Sequence, residues 1–322
     1  MDGSSNAGAA TDADRAAGAR PEAIFVVGVS RSGTTLLRRI LDSHSQVAIA
    51  TENHYLGHLL AREGARRYFA RLGDPHDEDG PQRLAAFLTG GGFQGASRFR
   101  EVSPFWRWVA REVSCDELEA RFRACDRSER GIFAALLRCY ADHRGKAVMG
   151  EKTPSHLAWA PTLIDWFPGC RIVHVVRDPR AVYASELRRR TEVGGGVPYH
   201  QLRHVPPLLR AFVLHEVAWA WAGAVHQHRR LGAAFPSHYR CVHFEDVVRT
   251  PAVTLATLLD WMGLPWEDGL LHQRVYARGV NHGAPGFDAS SADRWRSEIS
   301  GPEDRWLREL LGARLGEMGY AS

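Results

Sequence analysis

The stretch that most constrains this chain is residues 24–42, IFVVGVSRSGTTLLRRILD. Residues 24–27 are a short run of apolar, β-branched and aromatic side chains, the pattern of a strand buried on both faces. Gly28 ends it. Leu36, Leu37, Ile40 and Leu41 then recur at helical spacing, so a helix follows from Thr34. Between strand and helix lies GVSRSGTT, residues 28–35. A glycine-containing turn that opens directly into a helix is an anion-binding device. Its N–H groups point inward, and the helix N-terminus adds unpaired donors and its dipole. Gly33 lets the backbone approach a phosphate where a Cβ would obstruct it.

The glycine spacing is that of G-x-x-x-x-G-K-[ST], with Thr34 where the triphosphate-binding Lys would stand. The nearest cation is Arg31, inside the loop, whose planar fork suits an oxyanion. Thr35 takes the position of the usual Mg²⁺ ligand. Arg31, Ser32, Gly33, Thr34 and Thr35 therefore suit a phosphate-like group but are poorly equipped for a Mg·triphosphate.

Further strands are expected at 47–50, 147–150, 171–176 and 239–244, in a parallel sheet. Such sheets place ligands beyond the carboxyl ends of their strands. Four groups follow strand ends in this way. Thr51-Glu52-Asn53-His54 follows the second strand, and adjacent parallel strands would put Glu52 and Arg31 on one rim. Lys152 ends the third. Arg177-Asp178-Pro179-Arg180 follows the fourth and leads into a helix carrying Ser185. Arg177 and Ser185 can converge on one phosphate, with Arg180, Arg188, Arg189 and Arg190 adding positive potential. Glu245-Asp246 follows the fifth.

The intervening segments read as helices at 55–72, 81–89, 104–144 and 208–230. The block 55–144 lacks clear strands and is expected to be a helical insertion over the sheet. Its Trp106 and Trp108 are read as core. Residues 191–207 form a Gly/Pro-rich loop with Tyr199, His200 and His204, the length of a lid. Residues 277–291 read as a Gly/Ser loop before Arg294, Trp295 and Arg296, and 302–318 as a closing helix.

Composition narrows the partners. With 41 Lys and Arg against 37 Asp and Glu, the net charge of +4 fits an anionic ligand and does not point to nucleic acid. The five cysteines form no C-x-x-C pair or metal spacing, as expected of reduced thiols in a cytoplasmic protein. Residues 1–22 are nearly devoid of large apolar side chains and are expected to be a disordered leader before a single domain, 23–322. No apolar run approaches the roughly 20 residues of a transmembrane segment.

RSGTTLLRRILDSH, residues 31–44, resembles the 5′-phosphosulfate loop of PAPS-dependent sulfotransferases, above all the tyrosylprotein branch and its bacterial relatives. RDPRAVYAS, residues 177–185, resembles the family's 3′-phosphate signature. The Lys152-Thr153-Pro154 context resembles the family's lysine that contacts the transferring sulfuryl group. Arg294 and Trp295 match in kind a basic residue beside a tryptophan that closes over the nucleotide. The implied fold is α/β: a P-loop-NTPase-like parallel sheet with helices on both faces and a helical insertion. The implied reaction is sulfuryl transfer from PAPS to a hydroxyl acceptor, releasing adenosine 3′,5′-bisphosphate.

The resemblance casts Glu52 as the base, 21 residues after Arg31 as in the tyrosylprotein branch. Lys152 and Arg31 handle the phosphosulfate. His54 competes for the role of base, with His200 and His204 further behind. No metal is required, and no metal-ligand cluster is evident among the 16 histidines. The helical insertion would contribute to the acceptor pocket. Thr51 stands where the tyrosylprotein branch has a first glutamate, which disfavours a peptide acceptor against a small molecule, glycan, lipid or natural product. The C-terminal serine of that branch and the glycine-lysine motif of the cytosolic enzymes have no counterpart. The rival readings are a P-loop small-molecule kinase using ATP, disfavoured by Thr34, and a non-catalytic nucleotide-binding module.

Overall fold

The computed structural model describes residues 20–57, 69–92, 103–272, 274–277 and 280–321. Its centre is a five-stranded sheet whose paired strands are all parallel. Strand β1 is Ala23–Gly28, and all six residues are buried. Its side chains alternate between two cores, as the period of a strand requires. Phe25 and Val27 enter one, Ile24 and Val26 the other. Both faces of the sheet are therefore covered, which is why the strands read as continuous apolar runs.

Helix α1, Thr34–Ser43, follows β1, and Leu37, Ile40 and Leu41 pack it onto the second core. Strand β2 is Val47–Ala50. Helices α2 (Gly80–Thr89), α3 (Pro104–Glu112), α4 (Cys115–Ala124) and α5 (Glu129–Asp142) come next. The Ser103, Ser114 and Ser128 side chains each accept a backbone N–H to start the last three. All four helices face the first core, where Trp106 is buried and Trp108 packs beside it. The expected helix at 55–72 lies mostly outside the described residues, and its first three residues are not helical.

Strand β3 is Val148–Lys152, so Lys152 is its last residue rather than part of the loop beyond. A 3-10 turn at Pro154–Trp159 leads into α6, Ala160–Trp166. Strand β4 is Arg171–Val176 and α7 is Pro179–Glu192. Part of the expected loop at 191–207 is instead the short helix α8, Val197–Leu202. Helix α9, Pro206–Ala234, runs 29 residues and is long and apolar enough by composition to cross a membrane. Its Val213, Val217, Trp221 and Val225 are nonetheless core residues, packed with Val182 and Leu187 of α7.

Strand β5, Tyr239–His243, is followed by α10 (Phe244–Arg249) and α11 (Pro251–Met262). Residues 277–291 are not simply a loop: β6 (Arg274–Ala277) and β7 (Val280–Pro285) form an antiparallel hairpin. The closing helix is also broken. Helices α12 (Gly301–Leu311) and α13 (Ala313–Glu317) are separated by Gly312, whose φ of 51° interrupts the helical path.

The strand order is β2-β3-β1-β4-β5. This corrects the expectation that β1 and β2 are neighbours. β3 lies between them and carries Lys152 to the rim between Arg31 and Glu52.

Candidate active site

The loop after β1 holds its shape through three positive-φ positions. Gly28 has φ 151°, Arg31 φ 70° and Gly33 φ 100°. A Cβ on Gly33 would sit 2.3 Å from the Phe244 ring, so this glycine is needed for packing as well as for close approach. Arg31 has no such freedom, and a left-handed conformation costs it roughly 1 to 2 kcal/mol. Its guanidinium reaches α7, where Nε donates to Ser185 Oγ at 3.1 Å.

The second arm of the site begins at the end of β4. Asp178 caps α7 and grips Arg180 through both carboxylate oxygens, at 2.8 and 2.7 Å. Arg180 also lies over the Trp295 ring at 4.5 Å. It therefore adds no open positive charge, contrary to the sequence reading. Arg188 pairs with Glu298, and Arg189 and Arg190 with Glu186. Arg177 differs. Its Nη1 and Nη2 donate to the carbonyls of Arg31 and Ser291, at 3.3 and 2.7 Å, and its face covers Phe244 at 4.2 Å. Its Nε is buried without a partner. Burial first, then the neighbouring Arg31 and Arg294 charges, push the guanidinium down to about 10, against the pull of Glu245. A cation so placed gains from any anion that enters beside it.

Glu245 supports this arm from the first turn of α10, just beyond β5. Its carboxylate accepts the Asp178 N–H at 3.0 Å and the Tyr320 hydroxyl at 3.1 Å, and burial raises its pKa.

The third group joins the ends of β2 and β3. Lys152, 5% exposed, donates to Glu52, and His54 Nε2 lies 3.5 Å from the other carboxylate oxygen. Burial alone would raise the Glu52 carboxyl. The contacts with His54 and Lys152 outweigh it and bring the group down to about 2. Beneath them is a buried polar network. His156 Nδ1 donates to Glu151 at 2.5 Å, and its Nε2 accepts the Leu56 N–H at 3.2 Å. The Thr153 hydroxyl donates to Glu151 and accepts the Asn53 N–H at 3.3 Å. The Trp106 indole donates to the Asn53 carbonyl at 2.9 Å. This network ties the 52–54 turn to β3 and so sets the register of Glu52 on Lys152.

Two cavities meet at Glu52. The first, about 240 Å³, is lined by Arg31, Gly33, Thr34, Thr35, Arg177, Ser185, Arg294 and Trp295, among others. Ser32 is buried beneath the loop instead. The second, about 440 Å³, is lined by His54, Leu157, Val217 and Gly223, among others. Ser30, Glu52 and Pro154 line both. A group bound in one cavity therefore reaches a group bound in the other across the Glu52 carboxylate.

The model of the Sulfotransferase family matches residues 21–268, more than three quarters of the chain. This chain belongs to the sulfotransferase family. Protein-tyrosine sulfotransferase of Drosophila melanogaster is 22% identical over 304 residues, covering 92% of this chain and 49% of that protein. Carbohydrate sulfotransferase 5 of Mus musculus is 30% identical over 185 residues, covering 50% of this chain and 44% of that protein. The chain thus spans about half the length of these curated relatives. The sulfotransferase domain of the Synechococcus PCC 7002 olefin synthase superposes with a TM-score of 0.51 at 21% identity, covering 93% and 95% of the two chains. That likeness establishes the shared fold.

Several features of this sulfotransferase's site escaped the sequence reading. Among the described residues, the 69–142 helices line neither cavity; the second cavity's main walls come from the turn at 154–158, from α7 and from α9. His200 and His204 line neither cavity and stack edge-to-face with ring centres 6.2 Å apart. The expectation of no metal-type cluster also fails. His174 of β4, Cys241 of β5 and His228 of α9 bring their ligand atoms within 4.8 Å of one another. The Tyr239 hydroxyl bridges the two histidines there, at 2.6 and 3.0 Å. Glu151, Thr153 and His156 were missed as a unit. Their only sequence signal was the E-K-T-P-x-H spacing around Lys152.

Proposed function

We propose that this sulfotransferase moves the sulfuryl group of PAPS to a hydroxyl acceptor and releases adenosine 3′,5′-bisphosphate. One observation carries the reading. Arg31 and Ser185, 154 residues apart, share a hydrogen bond. The loop after β1 and the helix after β4 thereby become two anion sites of one cleft, which suits a nucleotide phosphorylated at two positions. The loop N–H groups and Arg31 take the phosphosulfate. Arg177 and Ser185 take the 3′-phosphate, where the anion would supply the partner that Arg177 Nε lacks. Arg294 and Trp295 close the cleft over the nucleoside.

In the transfer, the acceptor oxygen bonds to sulfur as the bond from sulfur to the 5′-phosphate oxygen breaks. The acceptor's proton passes to Glu52. The charge left on the phosphate is met by Arg31, the loop donors and Lys152. Lys152 must turn from Glu52 toward the leaving oxygen to do so. Its departure weakens the hold on the carboxylate and raises its basicity as the proton arrives. Cations of the chain serve here in place of a metal. The carboxylates in the first cavity, Glu52, Asp288 and Glu298, are each already held by Lys152, Arg294 or Arg188. Thr34 in place of lysine weighs against an ATP-dependent kinase.

Thermal unfolding tests the reading. Adenosine 3′,5′-bisphosphate without Mg²⁺ should stabilise the protein by about 2.7 kcal/mol at a hundredfold excess over Kd. 5′-AMP should do much less, since it leaves Arg177 uncompensated. Equal stabilisation by both, or a requirement for Mg·ATP, would overturn the assignment.

A further inference from the structure

The second cavity carries a statement about the acceptor that neither its relatives nor the donor cleft supplies. Its outer wall is one face of α9, where Ala220, Gly223, Ala224 and Gln227 recur at helical spacing. Small side chains leave the helix face hollow. Gly223 has no conformational reason to be glycine: it lies mid-helix, and a Cβ there would meet nothing within 4 Å. Alanine would be the better helix former. Glycine and the two alanines instead keep the space empty. Leu157 and Ala158 face it from the 3-10 turn, and Val217 extends the apolar wall. Trp219, 63% exposed, offers a flat indole at the rim.

The charged residues that α7 and α9 bring to this cavity cancel. Glu186 binds Arg189 at 2.7 Å and Arg190 at 2.7 Å, and Glu216 lies 4.0 Å from Arg190. Arg190 is further held over the Tyr199 ring at 3.5 Å. Two carboxylates and two guanidinium groups thus balance in charge, although Arg190 Nε is buried without a hydrogen-bond partner. Among the described residues this cluster leaves no net charge to draw an acidic peptide or an anionic glycan. Glu52, His54 and Ser30 make the inner end polar. The volume of about 440 Å³ falls within the roughly 300–1,000 Å³ of pockets for drug-sized ligands.

We infer that the acceptor is an uncharged, largely apolar small molecule, a phenol or lipophilic alcohol, that lies along the α9 wall and presents its hydroxyl to Glu52. This rests on the sulfuryl-transfer reading for the meaning of the hydroxyl, but the pocket's preference can be measured without it. A sugar would set a ring of hydroxyls against apolar walls with few partners. An acidic tyrosine peptide would bring carboxylates to a wall whose arginines are already paired.

The experiment is calorimetric titration of the full chain, without nucleotide, using 2-naphthol, N-acetylglucosamine and a tyrosine peptide flanked by glutamates. 2-Naphthol should bind best. Gly223→Phe should weaken it by about tenfold or more by filling the cavity, and Gly223→Ala should change it little. Ala220→Leu is the second variant should Gly223→Phe fail to fold. Adenosine 3′,5′-bisphosphate, titrated separately into the first cavity, should bind the wild type and the variants alike. Tighter binding of the sugar or the peptide, or indifference of 2-naphthol to both cavity-filling variants, overturns the inference. If the bisphosphate fails to bind while 2-naphthol binds and responds to Gly223→Phe, the donor reading falls and the pocket assignment stands.

Discussion

The two cavities that meet at Glu52 are made in opposite ways. The first is built from groups that are present: loop donors, Arg31 and Arg177 at strand ends, Ser185 on the helix that follows one of them, and Arg294 from a C-terminal 3-10 turn. The second is built from side chains that are small or missing, on a helix whose other face is ordinary core. Phosphate recognition needs charge and N–H groups at fixed points, so it leaves motifs in a sequence. Apolar recognition needs volume, and volume is left by glycine and alanine, which occur in helices for many reasons.

The sharpest way to break this contrast is at the shared residue. Glu52→Gln keeps the shape of both cavities and removes the basicity, so kcat should fall by roughly 10²- to 10⁴-fold. Affinity for adenosine 3′,5′-bisphosphate should be nearly unchanged. If Glu52→Gln retained full turnover while His54→Ala abolished it, the proton would belong to His54, on the acceptor side alone.

Arg177→Ala should divide the two cavities cleanly. It removes a charge-assisted contact made in the ground and transition states alike. Bisphosphate affinity should fall about ten- to a hundredfold, while 2-naphthol affinity holds. Parallel losses in both would show that the cavities are coupled through the fold and are not separate sites.

Lys152→Ala should appear in the pH profile as well as in kcat. Lys152 and His54 hold the Glu52 carboxyl at about 2, against an ordinary 4.5. Removing the lysine lets the pKa rise, so the acid limb of the rate profile should move to higher pH, by about one unit. An unmoved acid limb would show that Lys152 does not set the charge of Glu52.

The smallest effect lies outside both cavities. Glu303 accepts two hydrogen bonds from Arg210 of α9, at 2.8 and 2.9 Å, and also binds Tyr183 of α7. Burial raises its carboxyl, but these contacts prevail and bring it to about 2 from an ordinary 4.5. A depressed carboxylate stabilises the fold above its unfolded pKa and loses that contribution as pH falls through the folded one. Stability should therefore decline between about pH 4.5 and 2, and Glu303→Gln should flatten that decline. Since α9 walls only the second cavity, 2-naphthol binding should weaken before nucleotide binding as the pH is lowered. Simultaneous loss would place Glu303 in the general fold and not in support of α9.

Much of the fold was legible. The apolar runs gave all five strands of the main sheet, and 171–176 matched β4 residue for residue. The turn signals gave the loop at 28–35, because a strand ending in glycine before a helix has few other uses. Strand order was not legible. Hydrophobic period tells that a strand is buried, not which strand lies beside it, so the place of β3 between β1 and β2 was missed. The role given to Arg180 failed for a related reason. A guanidinium two residues from an aspartate can turn outward or fold back, and bidentate pairing with Asp178 under Trp295 made it fold back.

By itself the sequence determined what local chemistry can write: buried parallel strands, an anion-binding turn, an arginine and a serine at a second strand–helix junction, and a carboxylate and a lysine at strand ends. Tertiary structure alone decided which of these groups meet. It set Ser185 on Arg31 and Lys152 on Glu52, and laid the hollow face of α9 beside them. The physical reason is range. Backbone conformation follows from neighbours within a turn or two, whereas pairing of charges and the shape of a void depend on residues a hundred or more positions apart, brought together only when the whole core closes.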